Sequence, residues 1–295
     1  MRLRFHTLDV FTARRYAGNP LAVVLDADAL SQDAMQAIAR EFNLSETVFL
    51  QKPARADALV RARIFTPAQE LPFAGHPTVG TACLLVELGI APAGADVRFV
   101  LEEGVGPVPV RVRREAGRPP FGQLSVAKLP ESGPAPPAAE CAAVLGLDAR
   151  EIGAPGPRAV SCGLPFVLLP LTSVAALQHA QIDVSRHARS FAGAWAQQLY
   201  LYARDGDVLR CRMFAPGVGV VEDPATGSAA AALAGALAAE SKQIDGTLKW
   251  TLHQGVEMGR PSVLETEADL HAGGVRAVRV GGHAVKVTEG ELNPP

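Results

Sequence analysis

From Ala229 to Ala239 the chain carries no polar side chain, reading Ala-Ala-Ala-Ala-Leu-Ala-Gly-Ala-Leu-Ala-Ala. Alanine is the best helix former, so the run predicts a helix, and the lack of a polar stripe predicts that it is enclosed on every side. The run follows Asp223-Pro224-Ala225-Thr226-Gly227-Ser228. There Asp223 suits a helix cap and Pro224 the first helical position. An echo lies earlier in the chain, at a spacing of almost half its length. His76-Pro77-Thr78-Val79-Gly80-Thr81-Ala82 aligns with Asp223 to Ala229 at a spacing of 223 − 76 = 147, and another apolar run follows it.

Three further matches come in the same order. Gly18-Asn19-Pro20-Leu21 matches Gly163-Leu164-Pro165-Phe166 (163 − 18 = 145), and Arg63-Ile64-Phe65-Thr66-Pro67 matches Arg212-Met213-Phe214-Ala215-Pro216 (212 − 63 = 149). Gly104-Val105 matches Gly255-Val256 (255 − 104 = 151). Four ordered matches with drifting offsets are the mark of an internal repeat. We expect two copies of one unit, each a curved, mostly antiparallel sheet around one apolar helix. Residues 76–90 and 223–240 are the expected helices.

The 295 residues are enough for two substantial cores, and 48% apolar with 20% charged residues suits a globular chain. A formal net charge of −2 without a basic run gives no sign of a nucleic-acid or anionic-membrane partner. No apolar span of transmembrane length occurs. Cys83, Cys141, Cys162 and Cys211 show no metal or redox spacing, and the histidines show no paired spacing. Reduced thiols, a cytoplasmic location and no metal are therefore expected.

Two repeated units make a cleft between them the default place for a site. His76 and Asp223 stand at the two helix starts, with Thr81 and Ser228 five residues on. Helix N-termini offer free amides to a carboxylate, although Asp before Pro also serves as a plain cap and Ser or Thr in a first turn often satisfies the backbone. Glu46, ahead of Thr47-Val48-Phe49-Leu50, stands where burial makes a carboxyl group an acid and a base, or where a strand merely ends in an exposed charge. Its counterpart falls within Gln197-Gln198-Leu199-Tyr200.

Taken together, Gly18-Asn19-Pro20, Asn43-Leu44-Ser45-Glu46, Phe65-Thr66-Pro67, Glu70 to Pro77, Glu222 to Ala229 and Gln254 to Pro261 resemble the PhzF family of phenazine-biosynthesis isomerases. The resemblance covers nearly the whole chain. It implies the α+β, diaminopimelate epimerase-like fold, with a first lobe of residues 1–118, a second of 119–282, and a last strand at about 283–295 returning to the first. It implies a homodimer and a cofactor-independent isomerase moving a proton within trans-2,3-dihydro-3-hydroxyanthranilate. By position, Glu46 matches the general acid/base, and His76, Asp223 and Ser228 match other active-site residues. Gly75, Thr226 and Gly227 are expected to contact substrate. Racemases of this fold use two cysteines at the helix mouths, and neither motif here has one. A non-catalytic ligand-binding or scaffold protein, or a racemase of another amino acid, is the competing reading.

Overall fold

The computed structural model describes residues 2–295, and the chain divides into two units: residues 1–125 with 281–295, and residues 126–280. In the first unit the elements run β1 (Leu3–Val10), β2 (Asn19–Val24), α1 (Gln32–Phe42), β3 (Glu46–Gln51), β4 (Val60–Phe65), β5 (Glu70–Leu71), α2 (Gly75–Glu87), β6 (Asp96–Glu103), β7 (Gly106–Arg113) and β8 (Phe121–Ser125). β1 pairs antiparallel with β2, and β2 parallel with β3. The ladder continues through β4, β6, β7 and β8. The chain's last strand then pairs with both β8 and β1, closing eight strands into a barrel.

Inside this barrel lies α2, every residue of which from Gly75 to Val86 is buried. Burying Leu84 and Leu85 contributes roughly 1.5–3 kcal/mol each. α1 covers the outer face of the sheet instead. Ser31 caps it by accepting from the Ala34 amide, and Met35, Ile38 and Ala39 pack against Val24, Phe49 and Phe65. These are the residues that the 3.6-residue period selects.

The second unit runs β9 (Glu131–Gly133), α3 (Ala138–Leu145), β10 (Arg158–Ser161), β11 (Pro165–Pro170), α4 (Val174–His179), α5 (Val184–Ser190), β12 (Gln198–Asp205), β13 (Val208–Ala215), β14 (Val220–Asp223), α6 (Gly227–Ala239), β15 (Gly246–Gln254) and β16 (Ser262–His271). β17 (Gly274–Leu292) begins here and belongs to the first unit from Gly281 onward. Pairing repeats the first unit's order: β10 with β11 antiparallel, β11 with β12 parallel, β12 with β13 antiparallel, and β13 with β15 parallel. α6 is buried along most of its length. Gly235 lets a neighbour close in on it: a Cβ there would stand 2.3 Å from Pro130 Cγ. β8, which begins beyond residue 118, pairs with β7 inside the first unit.

The repeat extends to side-chain chemistry. The guanidinium of Arg63 lies over the Phe65 ring and that of Arg212 over Phe214. Arg63 donates twice to Glu70 and Arg212 twice to Glu222. A Cβ on Gly104 would stand 2.7 Å from Pro72 Cα, and one on Gly255 2.9 Å from Pro224 Cα. Both glycines therefore let a strand end press against the loop that leads into a buried helix.

These pairs correct the alignment of the copies. Pro72 matches Pro224, and Gly75 matches Gly227, each at 152 residues (224 − 72 and 227 − 75). The 147-residue echo is thus five residues out of register. Asp223 is not a helix cap, and Pro224 is not the first helical residue. Asp223 ends β14, Thr226 is the N-cap residue, and the helix starts at Gly227. The physical reason is local: the Thr226 hydroxyl donates to Asp223 Oδ2 at 2.5 Å, which holds the carboxylate on the loop rather than over the first turn.

Candidate active site

Glu46 is the first residue of β3 and sits beside Leu21 of β2 in the parallel ladder. Its side chain is 16% exposed. His76 is the second residue of α2 and is buried. Its Nε2 lies 3.4 Å from Glu46 Oε2, so the structure brings these two expected site residues together. Burial pushes the imidazole down to about 3, and its hydrogen bond to the Pro20 backbone opposes this only in part. His76 is therefore neutral at neutral pH, and its contact with Glu46 is not an ion pair.

The Gly18-Asn19-Pro20 motif builds this arrangement. Gly18 has φ +67°, and a Cβ there would stand 2.3 Å from the Val10 carbonyl oxygen, so glycine alone fits the turn into β2. That turn delivers the Pro20 carbonyl to the His76 ring. A ring nitrogen donating to this carbonyl leaves the other, Nε2, as an acceptor directed at the Glu46 carboxyl group. Glu46 in its acid form then has a ready acceptor, and in its base form it faces a lone pair. Such an environment suits a carboxyl group that gains and loses a proton.

In the second unit, Asp223 and Thr226 are joined by the hydrogen bond described above, and both are buried. Ser228 is the second residue of α6, the place His76 holds in α2, and is partly exposed. Gly75 and Gly227 open the two helices, and neither helix start has a side-chain cap. Their first-turn amides are thus available to an anion. Thr226, expected to contact substrate, spends its hydroxyl on Asp223, while its amide donates to Gln254 Oε1 at 3.2 Å.

Gln254 and Glu103 were not among the expected site residues. They are the last residues of β15 and β6, and each precedes one of the two paired glycines. Glu103 is buried, accepts from the Thr78 hydroxyl at 2.7 Å, and is raised by burial to about 8. The neutral acid of one copy thus stands where the other has an amide. The sequence signal was present: a polar side chain at an inward position two residues after Leu252 needs a buried partner.

The four cysteines are free thiols, and burial raises each to about 12. Cys83 lies well inside α2 rather than at its mouth. Among the described residues no group of three or more His, Cys, Asp or Glu side chains is placed to hold a metal ion. No helix among them is long and apolar enough to cross a membrane.

Comparison with known proteins places this geometry. The family described as phenazine biosynthesis-like protein (PhzC-PhzF) matches residues 8–290. The chain belongs to the PhzF family. It is 39% identical to the trans-2,3-dihydro-3-hydroxyanthranilate isomerase of Pseudomonas aeruginosa, over 97% of this chain and 98% of that one. It is 46% identical to an uncharacterized isomerase of Mesorhizobium japonicum, over 96% of each chain. A PhzF family protein of Bacillus anthracis superposes with a TM-score of 0.89 at 25% identity, covering 99% of both chains. The α+β fold of this PhzF member is accordingly the diaminopimelate epimerase-like one.

Proposed function

We propose that this PhzF-family isomerase shifts a proton within a small amino-acid-like or dihydroaromatic carboxylic acid of the trans-2,3-dihydro-3-hydroxyanthranilate class. Glu46 is the acid/base. As carboxylate it removes an acidic C–H proton, and as acid it returns that proton to a distal carbon on the same face of the substrate. The observation that carries this reading is Glu46 Oε2 beside the Nε2 of a neutral, buried His76. The His76 acceptor holds the transferred proton's hydroxyl in one orientation between the two steps.

Asp223 and Ser228 are assigned to the substrate's amino and polar groups. The uncapped helix starts at Gly75 and Gly227 are assigned to its carboxylate. This chemistry uses no metal or organic cofactor. The chain is further proposed to act as a cytoplasmic homodimer, on the family resemblance.

The reading is tested by incubating the protein with dihydrohydroxyanthranilate in deuterated water and following the reaction by NMR. Isomerisation is expected, with solvent deuterium appearing at the carbon that is reprotonated as Glu46 exchanges with the medium. A folded, homogeneous protein that leaves the substrate unchanged overturns it.

A further inference from the structure

Gln254 makes four hydrogen bonds and is fully buried. Its Nε2 donates to the Asp223 carbonyl at 2.8 Å and to Thr226 Oγ1 at 3.0 Å. Its Oε1 accepts from the Tyr200 hydroxyl at 3.1 Å and from the Thr226 amide at 3.2 Å. An amide has two donors and two acceptor lone pairs, and here all four are used, so the side chain has one orientation. With Gln254 Nε2 donating to it, Thr226 Oγ1 must send its own proton elsewhere. That proton goes to Asp223 Oδ2. The chain of donors therefore has a fixed direction: Tyr200 to Gln254, Gln254 to Thr226, Thr226 to Asp223.

We infer that Gln254 is a positioning residue, which fixes the Asp223 carboxylate for substrate by holding the Thr226 hydroxyl turned toward it. Without Gln254, the Thr226 hydroxyl is free to act as an ordinary helix cap acceptor, which is what a threonine at an N-cap position usually does. Asp223 then keeps its place in β14 but loses a donor that orders its oxygens. Gln254 also satisfies the Thr226 amide, so β15 holds the start of α6 with the same side chain that aims Asp223.

Tyr200 from β12 and Cys211 from β13 are titratable groups that face this network. Burial raises both, Tyr200 far up and Cys211 to about 12, so both are protonated throughout the range in which a carboxyl group titrates. Glu222, next to Asp223, is held by Arg212.

The role in turnover rests on the proposed binding of substrate by Asp223, whereas the titration does not depend on it. The experiment follows the Asp223 carboxyl carbon by NMR across pH in the full-length protein and in Gln254→Met, Thr226→Val, Thr226→Ser and the Gln254→Met/Thr226→Val double variant. A hydroxyl donating to the carboxylate favours its charged form. Gln254→Met and Thr226→Val should therefore both move the Asp223 midpoint upward, and Thr226→Ser should leave it in place. The double variant should shift no further than Thr226→Val alone, because Gln254 acts through Thr226. With dihydrohydroxyanthranilate as substrate, Gln254→Met should lower kcat/KM roughly tenfold, as a misaimed binding group does. Tyr200→Phe, which removes a single hydroxyl, should give a smaller upward shift and serves where Gln254→Met does not fold. An unmoved Asp223 midpoint in a folded Gln254→Met or Tyr200→Phe protein, or additive shifts in the double variant, overturns the assignment.

Discussion

His76 and Ser228 hold the same position, second residue of a thirteen-residue buried helix, in two units that begin those helices 152 residues apart (227 − 75). One copy places an aromatic nitrogen there and the other a hydroxyl. The same asymmetry recurs at the strand starts. Glu46 pairs beside Leu21 in the parallel ladder of the first unit, as Gln198 pairs beside Phe166 in the second. One copy therefore carries a carboxyl group, the proposed acid/base, and the other an amide of the same length, which cannot take and return a proton.

Replacing Glu46 by Gln tests this directly. The amide keeps the shape and one acceptor oxygen but cannot take and return a proton. Turnover should fall by ~10²–10⁴-fold with little change in stability. Steady-state rates with dihydrohydroxyanthranilate, alongside a thermal melt, check both halves of the expectation. A variant of near wild-type rate would show that Glu46 is only a strand-end charge.

Stability should depend on pH through His76 and Glu103, in opposite senses. His76 drops from 6.5 to about 3 on folding, so the unfolded chain binds the extra proton between those values, and stability is lost as pH falls from 6.5 toward 3. Glu103 rises from 4.5 to about 8, so the folded chain keeps a proton the unfolded chain has shed, and stability is lost as pH rises from 4.5 toward 8. Glu103→Gln should remove the alkaline decline and leave the acid one. Melting temperatures between pH 4 and 9 decide it, and an unchanged alkaline slope in the variant would refute the role of Glu103.

Gly255 and Gly273 have nearly equal positive φ, +72° and +76°, but different surroundings. A Cβ on Gly273 meets nothing within 4 Å, whereas one on Gly255 stands 2.6 Å from both the Arg260 and the Pro224 carbonyl oxygens. Gly273→Ala should cost about 1 kcal/mol for the backbone conformation alone. Gly255→Ala should cost clearly more and should loosen the loop bearing Asp223. Urea unfolding of the two variants in parallel measures the difference, and equal losses would contradict it.

Arg212 is buried, grips Glu222 with two nitrogens, and donates to the Leu177 and Ala180 carbonyls at 2.9 and 2.7 Å. Lysine has the charge but not the planar fork. Arg212→Lys should destabilise the protein by about 2 kcal/mol, with Arg63→Lys, whose side chain is 16% exposed, losing less. Chemical denaturation gives both numbers, and a neutral Arg212→Lys would remove this account of the motif.

The repeat was legible where matched residues do one physical task twice, as with Gly104 and Gly255, which make room for a proline, and Arg63 and Arg212, which lie over a phenylalanine and grip a glutamate. The buried helices were legible from their unbroken apolar composition. The start of α6 was not. Asp-Pro has the local preferences of a cap and first turn, and nothing nearby in sequence shows that Thr226 will capture the aspartate or that Gln254, 31 residues after Asp223 (254 − 223), will take over the cap. Glu46 was ambiguous for a related reason: its neighbour His76 arrives from another element, and the neutrality of that histidine comes from burial, which spacing does not reveal.

Arg63 reaches Glu70 across seven residues, and Arg212 reaches Glu222 across ten. The second copy thus carries three additional residues between its arginine and its glutamate, and they lie in the strands. β13 ends three residues after Arg212 where β4 ends two after Arg63, and β14 begins two residues before Glu222 where β5 begins at Glu70, while the helix still begins three residues beyond the matching proline. The turns after β4 and β13 thus keep one length while the strands beside the second turn extend, so each helix start is set by the proline and the arginine–glutamate grip before it and not by how long the hairpin is.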